Sequence, residues 1–278
     1  MYVDLFLDSG AYAAWRRNET LDIYRYIDYI KRNNEYIDYY VNMDVIPGTY
    51  GYTPSKQEVD ESAKKSYENL QIMKKEGLHP IPVFHQGEDF NWLKRLLSDG
   101  EDYVGVSPAE DMMGWRGISP HLWMDSVFTL LTDTEGSPLI RTHGFGVTKH
   151  SLLIRYPWAS CDSTSWTMIA NYGKIIVPCY VNNKPQYLRQ PLIVHVSNVT
   201  SREGNKWGNS KNKQKEQVGH MSPIEQSFVR NFVENECNKS MTEVKYDDCA
   251  RRHCLITYYK NLCESLGDNV KFKHRVKI

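Results

Sequence analysis

The residues best suited to do chemistry stand at the ends of short β-rich runs. Six runs end in a side chain that could transfer a proton, accept a hydrogen bond or attack carbon: Asp8, Asp44, His85, Ser107, His143 and Asp162. Three carboxylates without an evident metal cage suit chemistry at a sugar carbon, where one carboxylate attacks the carbon and another moves protons. Asp8, Asp44 and Asp162 are therefore the central catalytic candidates.

Two other interpretations of these side chains stay open. An Asp or Ser after a strand often only caps the turn that follows, and a single His is more often a core residue than a ligand. Asp together with His could instead bind a divalent metal, which would make a hydrolase of Asp8, His85, His143 and Asp162. This set contains no helical HxxxH and no HxH pair, so the metal hypothesis ranks lower. Glycines beside the strand ends indicate close backbone approach to a ligand; they are Gly10, Gly87, Gly105, Gly144 and Gly146.

The elements that must position these side chains alternate along the chain. Eight β-rich runs are predicted, at 3–8, 39–44, 80–85, 103–107, 139–143, 158–162, 174–178 and 192–197. Segments with helical spacing lie between them, at 22–33, 55–76, 89–98, 120–132, 148–155 and 164–171. Alternating strands and helices favour an α/β fold, and eight strands predict a (β/α)8 TIM-type barrel, whose carboxyl strand ends share one mouth.

The length of 278 residues fits one such barrel with a C-terminal helical extension. We expect the barrel at 1–200, a basic polar loop at 201–221, and C-terminal helices at 222–278 that close the barrel or are appended to it. The helical segments expected there are 222–236 and 241–265.

Charge and cysteine usage bound the environment of the protein. Thirty-four basic and thirty-four acidic side chains cancel, so any contact with a polyanion must be local. The best local candidates are the basic stretch 205–215 and the last eight residues, KFKHRVKI. The residues predicted to bind nucleic acid are Lys206, Lys211, Lys213 and Lys215. No apolar run reaches the roughly 20 residues of a membrane span, and no CxxC pair occurs among the six cysteines. We expect a cytoplasmic protein with reduced thiols and no membrane partner.

Six motifs, in this order, carry a resemblance to a known family. They are DSGAYAAW (8–15), VNMDVIPG (41–48), VFHQGED (83–89), YVGVSPAED (103–111), THGFGVT (142–148) and WASCDSTSW (158–166). The series resembles the tRNA-guanine transglycosylase superfamily over roughly residues 3–180. The residues within the motifs are most similar to those of the phage-encoded DpdA-type 7-deazaguanine DNA transglycosylases. If the chain is phage-encoded, the expected compartment is the host cytoplasm.

The resemblance implies roles for individual residues. Asp162 resembles the nucleophile that displaces guanine, and Asp8 the general base that deprotonates the incoming base. Asp44 is similar to the carboxylate that reads the guanine-like N1 and amino edge, Gln86 to the amide that reads the carbonyl, and Gly105 to a backbone donor. The remaining substrate contacts predicted around these are Ser9, His85, Gly87, His143 and Gly144.

Departures from the family pattern bear on cofactor and substrate. The CxCxxC string of the family's structural zinc site is absent, so we expect no cofactor. A structural zinc site at the cysteines of the last 45 residues, which cluster with His253, stays open, although their spacing is not typical of metal ligands. The third motif reads HQGE where the family has QGG, and the fourth VGVS where the family has GGLA. The remaining 80 or so residues hold no PUA-like RNA-binding tail, which favours DNA as substrate over tRNA, with a 7-deazaguanine such as 7-cyano-7-deazaguanine as the incoming base. A homodimer stays open, as does a base-binding module that has lost catalysis.

Overall fold

A computed structural model describes residues 4–108, 120–197, 217–267 and 270–274. The chain divides into two compact units, each assembled from separate stretches of sequence. Unit 1 comprises Met1–Val147, Tyr156–Asp162 and Lys271–Ile278, and unit 2 comprises Thr148–Arg155 and Ser163–Val270. The predicted division at residues 200 and 221 stays a prediction. The four lysines predicted to bind nucleic acid, at 206, 211, 213 and 215, lie outside the described residues.

Unit 1 is built on parallel strands that neighbour one another in chain order. Its strands are β1 Phe6–Leu7, β2 Tyr39–Tyr40, β3 Val83–His85, β4 Tyr103–Ser107, β5 Arg141–Gly144 and β6 Ser160–Cys161. β1 pairs with β2, and β3 to β6 form a four-stranded sheet; every pairing is parallel. An isolated parallel bridge from Val41 to Ile81 links the chain after β2 to the chain before β3. The predicted α/β class is confirmed.

Helices separate these strands, and their first residues show why they begin where they do. They are α1 Ala11–Arg17, α2 Ile23–Arg32, α3 Lys56–Lys75, α4 Phe90–Ser98 and α5 Pro120–Leu131. The side chains of Asp22 and Asp89 accept backbone N–H groups of the first turns of α2 and α4. Ser55 and Glu58 form a reciprocal capping box at the start of α3. Of these five helices, α1 is the one that the sequence did not predict.

The core of unit 1 lies between the sheet and these helices. The fully buried apolar side chains include Phe84 and Val104 on the strands and Leu93, Met124 and Phe128 on the helices. A short segment from the far end of the chain completes this core, because the Phe272 ring stacks on Tyr156 with 5.6 Å between centroids. The backbone N–H of Phe272 donates to the Gly136 carbonyl at 2.8 Å. A Cβ at Gly136 would lie 1.9 Å from the Phe272 carbonyl oxygen, so only glycine permits this approach.

Unit 2 combines helices with two antiparallel strand pairs. Its helices are α6 His150–Leu153, α7 Ser165–Asn171, α8 Pro223–Asn231, α9 Met241–Tyr246 and α10 Asp248–Leu266, and its strands are β7 Lys174–Val177, β8 Cys179–Val181, β9 Lys184–Gln186 and β10 Leu192–His195. β7 pairs with β10, and β8 with β9 through a tight turn in which Asn182 and Asn183 both have positive φ. A π-helical segment, Phe232–Glu236, extends α8.

The pairing of β7 with β10 departs from the sequence-based expectation. Runs 174–178 and 192–197 were expected to be the seventh and eighth parallel strands of a barrel, yet they run antiparallel to each other. Parallel neighbours need a long crossover connection, and the chain between these two strands is instead occupied by the β8–β9 hairpin. A closed eight-stranded parallel barrel is therefore not confirmed. The predicted helix 241–265 is also two helices, because Asp247 adopts an extended conformation and caps α10.

Among the residues that the structure describes, no helix combines the length and the apolar character needed to cross a bilayer.

Candidate active site

The chemically capable residues predicted from sequence lie in unit 1, at the carboxyl ends of its parallel strands. Asp8 follows β1, and Asp44 lies beyond β2. His85 is the last residue of β3, and His143 is the next-to-last residue of β5. Asp162 follows β6, where its N–H continues the ladder by donating to the Gly144 carbonyl at 3.1 Å. Parallel strands with this order bring their carboxyl ends to the same edge, which is why residues far apart in sequence meet.

Asp162 is held by one oxygen of its carboxylate. The backbone N–H of Gly146 donates to Oδ1 at 3.2 Å, and Nε2 of His143 lies 3.4 Å from the same oxygen, a long distance for a hydrogen bond. In the described part of the chain Oδ2 has no hydrogen-bond partner, and the side chain is 60% exposed. Partial burial alone would raise the pKa of Asp162, but His143 and the Gly146 N–H outweigh it and lower that pKa. The group is an ionised carboxylate with one oxygen open for attack.

The ring of His143 is fixed on all sides. Its Nδ1 lies 2.6 Å from Ser160 Oγ, and Ser160 Oγ lies 2.6 Å from the Tyr103 hydroxyl. The ring stacks on Phe6 with 4.4 Å between centroids and meets the edge of Phe145 at the same distance. Packed rings remove rotamer freedom, so Nε2 stays directed at Asp162 without further ordering.

Asp8 has the opposite electrostatic environment to Asp162. Burial of its carboxyl group raises the pKa of Asp8, the charges of Asp44 and Asp162 raise it further, and the Ser9 and Gly10 N–H groups offset only part of this. The residue as a whole is nevertheless exposed to solvent, which moderates the effect of burial on its pKa. Carboxyl groups whose environments push their pKa values apart are suited to separate acid–base and nucleophilic roles.

Asp44 is clamped from two sides. Ser9 Oγ donates to its Oδ1 at 3.1 Å, and Oδ2 lies 3.0 Å from His85 Nε2. On the far side of the ring, His85 Nδ1 lies 3.0 Å from Glu88 Oε1. Burial alone would lower the pKa of His85, but the two carboxylates outweigh it and raise that pKa to about 10. Glu88 was not among the predicted site residues, although its presence in HQGE, where the family has QGG, was a signal.

The third and fourth motifs supply turns and close packing around these groups. Gln86 is buried and its N–H donates to the Ser107 carbonyl, while Gly87 takes a φ of 103° that favours glycine. Gly105 leaves room for a ring, because a Cβ there would lie 2.5 Å from Cε2 of Phe145. Its N–H donates to the Pro82 carbonyl at 2.8 Å. The Gly105 N–H is thus engaged in the sheet, and the donor role that the resemblance implied for it stays a prediction.

Gly144, another predicted substrate contact, has a packing reason to be glycine. A Cβ at this position would lie 2.9 Å from Cys161 Sγ and 3.1 Å from the Val147 side chain. Its carbonyl accepts the Asp162 N–H. Gly144 therefore lets β5 and β6 approach closely just before the nucleophile candidate.

The metal hypothesis finds no support in the geometry of the described residues. Three donor atoms from Asp8, His85, His143 and Asp162 do not converge within 4.8 Å of one another; the group that does is Asp247, Asp248 and Cys249. That group has a structural explanation, since Asp247 caps α10 and Asp248 pairs with Arg252 at 2.9 Å. An exposed helix cap of this kind is common without an ion.

Comparisons with models of known protein families and with curated proteins give no match to this chain. The resemblance in the sequence motifs therefore stays a prediction, and the functional argument depends on the geometry of unit 1.

Proposed function

We propose that this protein is a guanine transglycosylase that exchanges guanine in DNA for a 7-deazaguanine base through a covalent aspartyl intermediate. The observation that carries the proposal is the geometry of Asp162. One carboxylate oxygen is held by the Gly146 N–H and faces His143, and the other has no partner among the described residues. The second carboxyl group, Asp8, is close enough for its charge interaction with Asp162 to affect its pKa.

In the first half-reaction Asp162 Oδ2 attacks C1′ of a nucleotide that has been rotated out of the helix. The bond from C1′ to the base nitrogen breaks, the new bond from C1′ to oxygen forms, and guanine leaves with the bonding electrons. In this scheme Asp8 acts as the general acid in its protonated form and supplies the proton that neutralises the leaving base. Burial and the charges of Asp44 and Asp162, which raise the pKa of Asp8, support this role.

In the second half-reaction the incoming 7-deazaguanine takes the place of guanine. Asp8, now ionised, accepts the proton from the base nitrogen, which attacks C1′ and releases the Asp162 carboxylate. Two displacements at one carbon retain its configuration, and the exchange needs neither an oxidant nor a metal. Water must be kept away while the intermediate exists, because hydrolysis would leave an abasic site.

Asp44 and Gln86 are proposed to read the base, as the resemblance implies. Asp44 is held in place by Ser9 and His85, so its orientation does not depend on the substrate. The proposed architecture is of the (β/α)8 type. What supports it is that the parallel strands β1 to β6 follow one another in chain order, as the first six βα units of such a barrel do; β7 and β10 do not extend this series, because they pair antiparallel.

The proposal is tested by trapping the intermediate. Purified protein is incubated with labelled guanine and duplex DNA, single-stranded DNA or tRNA, and both label incorporation and a denaturation-resistant adduct are measured. We expect incorporation into DNA, loss of the adduct in Asp162→Asn, and no change in the control Asp60→Asn, an exposed carboxylate on α3.

Each other outcome has a defined meaning. Label in tRNA alone would replace DNA as the substrate and keep the chemistry. An adduct that persists in Asp162→Asn would overturn the nucleophile assignment. Binding of deazaguanine bases without exchange into any polymer would favour a base-binding module.

A further inference from the structure

Both ring nitrogens of His85 face a carboxylate. Nε2 lies 3.0 Å from Asp44 Oδ2 and Nδ1 lies 3.0 Å from Glu88 Oε1. The three side chains are nearly enclosed, since His85 is 7% exposed, Glu88 6% and Asp44 9%. Asp44 and Glu88 are also the charged groups that face this ring in the described part of unit 1.

The hydrogen-bonding capacities of two ionised carboxylates favour the doubly protonated state of the ring. An ionised carboxylate accepts hydrogen bonds and donates none, and a neutral imidazole has a single N–H. A neutral ring would therefore leave one nitrogen lone pair against a carboxylate oxygen in a site with little water. A doubly protonated ring satisfies both contacts and neutralises part of the buried negative charge.

We propose that Glu88 is a positioning residue, which keeps His85 in its imidazolium form so that the second N–H of the ring holds Asp44 as an ionised acceptor. This deepens the proposed function and rests on it for the identity of the ligand. Glu88 itself touches no substrate in this scheme. It acts through the His85 ring, which in turn contacts Asp44, the carboxylate proposed to bind the base.

The clamp leaves Asp44 able to bind a ligand. A carboxylate offers about four lone-pair sites, and the Ser9 hydroxyl and the His85 N–H occupy one on each oxygen. One site on each oxygen remains, at the spacing that suits two adjacent N–H donors. The ligand class is thus a heterocycle with neighbouring ring N–H and amino groups, and a charge that stays on Asp44 strengthens both bonds. Loss of the His85 proton would remove the donor that holds Oδ2.

The first test needs no substrate. The imidazole nitrogens are observed by NMR during a pH titration of the full chain, and the His85 signals are assigned by their loss in His85→Gln. We expect His85 to be doubly protonated at about pH 8, above the ordinary histidine pKa. In Glu88→Gln the amide oxygen can still accept from Nδ1, but the charge is gone, and the pKa of His85 should fall by roughly 1 to 3 pH units.

The control for this titration is Glu35→Gln, an exposed glutamate of the same unit, which should leave the His85 titration unchanged. A neutral His85 at neutral pH in the wild-type protein, or an unshifted titration in Glu88→Gln, would overturn the proposal. If Glu88→Gln does not fold, the wild-type titration alone decides the ring state, and Glu88→Asp, which keeps the charge, replaces it: the pKa should then stay raised.

The second test measures the consequence for the ligand. Glu88→Gln should raise KM for the incoming base by about tenfold with little change in kcat, and the increase should become larger as pH rises through the new His85 pKa. An equal loss of kcat at every pH would mean that Glu88 serves only the fold. The two proposals can fail separately. If the pKa of His85 falls in Glu88→Gln as expected but the wild-type protein exchanges no base, the transglycosylase function is rejected and the role of Glu88 in holding His85 and Asp44 is retained.

Discussion

His143 and Ser160 are direct partners across β5 and β6, and their side chains are joined as well as their backbones. The two residues are in register in the parallel ladder, and Nδ1 of the ring lies 2.6 Å from the Ser160 hydroxyl oxygen. Asp162 comes two residues after Ser160, so one short stretch of chain both orients the imidazole and carries the carboxylate that the imidazole faces. The position of the Asp162 carboxylate relative to His143 is thus set by strand register.

Removing the Ser160 hydroxyl tests this arrangement. In Ser160→Ala the His143 ring loses the bond at Nδ1, and Nε2 can turn away from Asp162. We expect base exchange to fall by about tenfold, with a loss of roughly 1 to 3 kcal/mol in the free energy of unfolding, because the Ser160 hydroxyl bonds the Tyr103 hydroxyl as well as His143. Label incorporation and chemical denaturation measure the two effects. Ser227→Ala, which removes an exposed hydroxyl on α8, is the control, and equal exchange rates in both variants would refute the role of Ser160.

Asp8 is predicted to promote base exchange while lowering the free energy of unfolding. A carboxyl group whose pKa is raised in the folded state opposes folding once pH exceeds its unfolded value, because ionisation is easier in the unfolded chain. Asp8→Asn should therefore increase the free energy of unfolding at neutral pH, by less than about 1 kcal/mol because the residue keeps contact with solvent. Base exchange should fall by about 100-fold or more.

The stability gain in Asp8→Asn should disappear in acid, where the wild-type carboxyl is protonated in both states. Denaturation at several pH values measures this, with Asp60→Asn as the control that should show no such dependence. A variant that is less stable than the wild-type protein at neutral pH would contradict the environment assigned to Asp8.

The raised pKa of His85 predicts that the protein loses stability at alkaline pH. Its pKa is raised in the folded state from 6.5 to about 10, so its stabilising contribution is complete below 6.5 and is lost as pH rises through about 10. The free energy of unfolding of the wild-type protein should decline across this window, and the decline should be shallower in His85→Gln. Denaturation curves of both proteins across the window give the comparison; parallel curves would count against a charged His85.

The substitution Gly105→Ala is expected to disturb packing beside the candidate active site. In Gly105→Ala the new methyl group meets the Phe145 ring, which must move, and Phe145 packs against His143. Overpacking of this kind costs roughly 1 to 3 kcal/mol in the free energy of unfolding. Gly219→Ala is the matched control, because a Cβ there meets nothing within 4 Å. Thermal unfolding of the two variants should separate them clearly.

Local sequence signals were sufficient for much of unit 1. The capping residues Asp22, Ser55 and Asp89 each precede a helix that the spacing of apolar residues predicted, and the structure begins those helices one residue later. The direction of β7 relative to β10 had no local signal, because it depends on which strands pair. A run such as LIVH has the same composition in a parallel or an antiparallel ladder.

The sequence predicted those candidate-site residues that stand at strand ends. It did not predict features that depend on which side chains lie next to one another in space. Asp8, Asp44 and Asp162 were found from placement, but the opposite pKa shifts of Asp8 and Asp162 follow from their surroundings in space. Glu88 lies in a turn three residues after His85, where an acidic residue is ordinary. The role proposed for Glu88 depends on the position of the His85 ring between Glu88 and Asp44, which the local sequence does not indicate.

The contact between Phe272 and Gly136 has a consequence for how the molecule is made. Unit 1 requires the segment around Phe272 to cover Phe128 and Tyr156, and this segment follows the whole of unit 2 in the chain. During synthesis the parallel strands emerge from the ribosome first, yet one face of their core waits for a piece translated after every helix of unit 2. The unit that carries the candidate active site is therefore begun first and completed last.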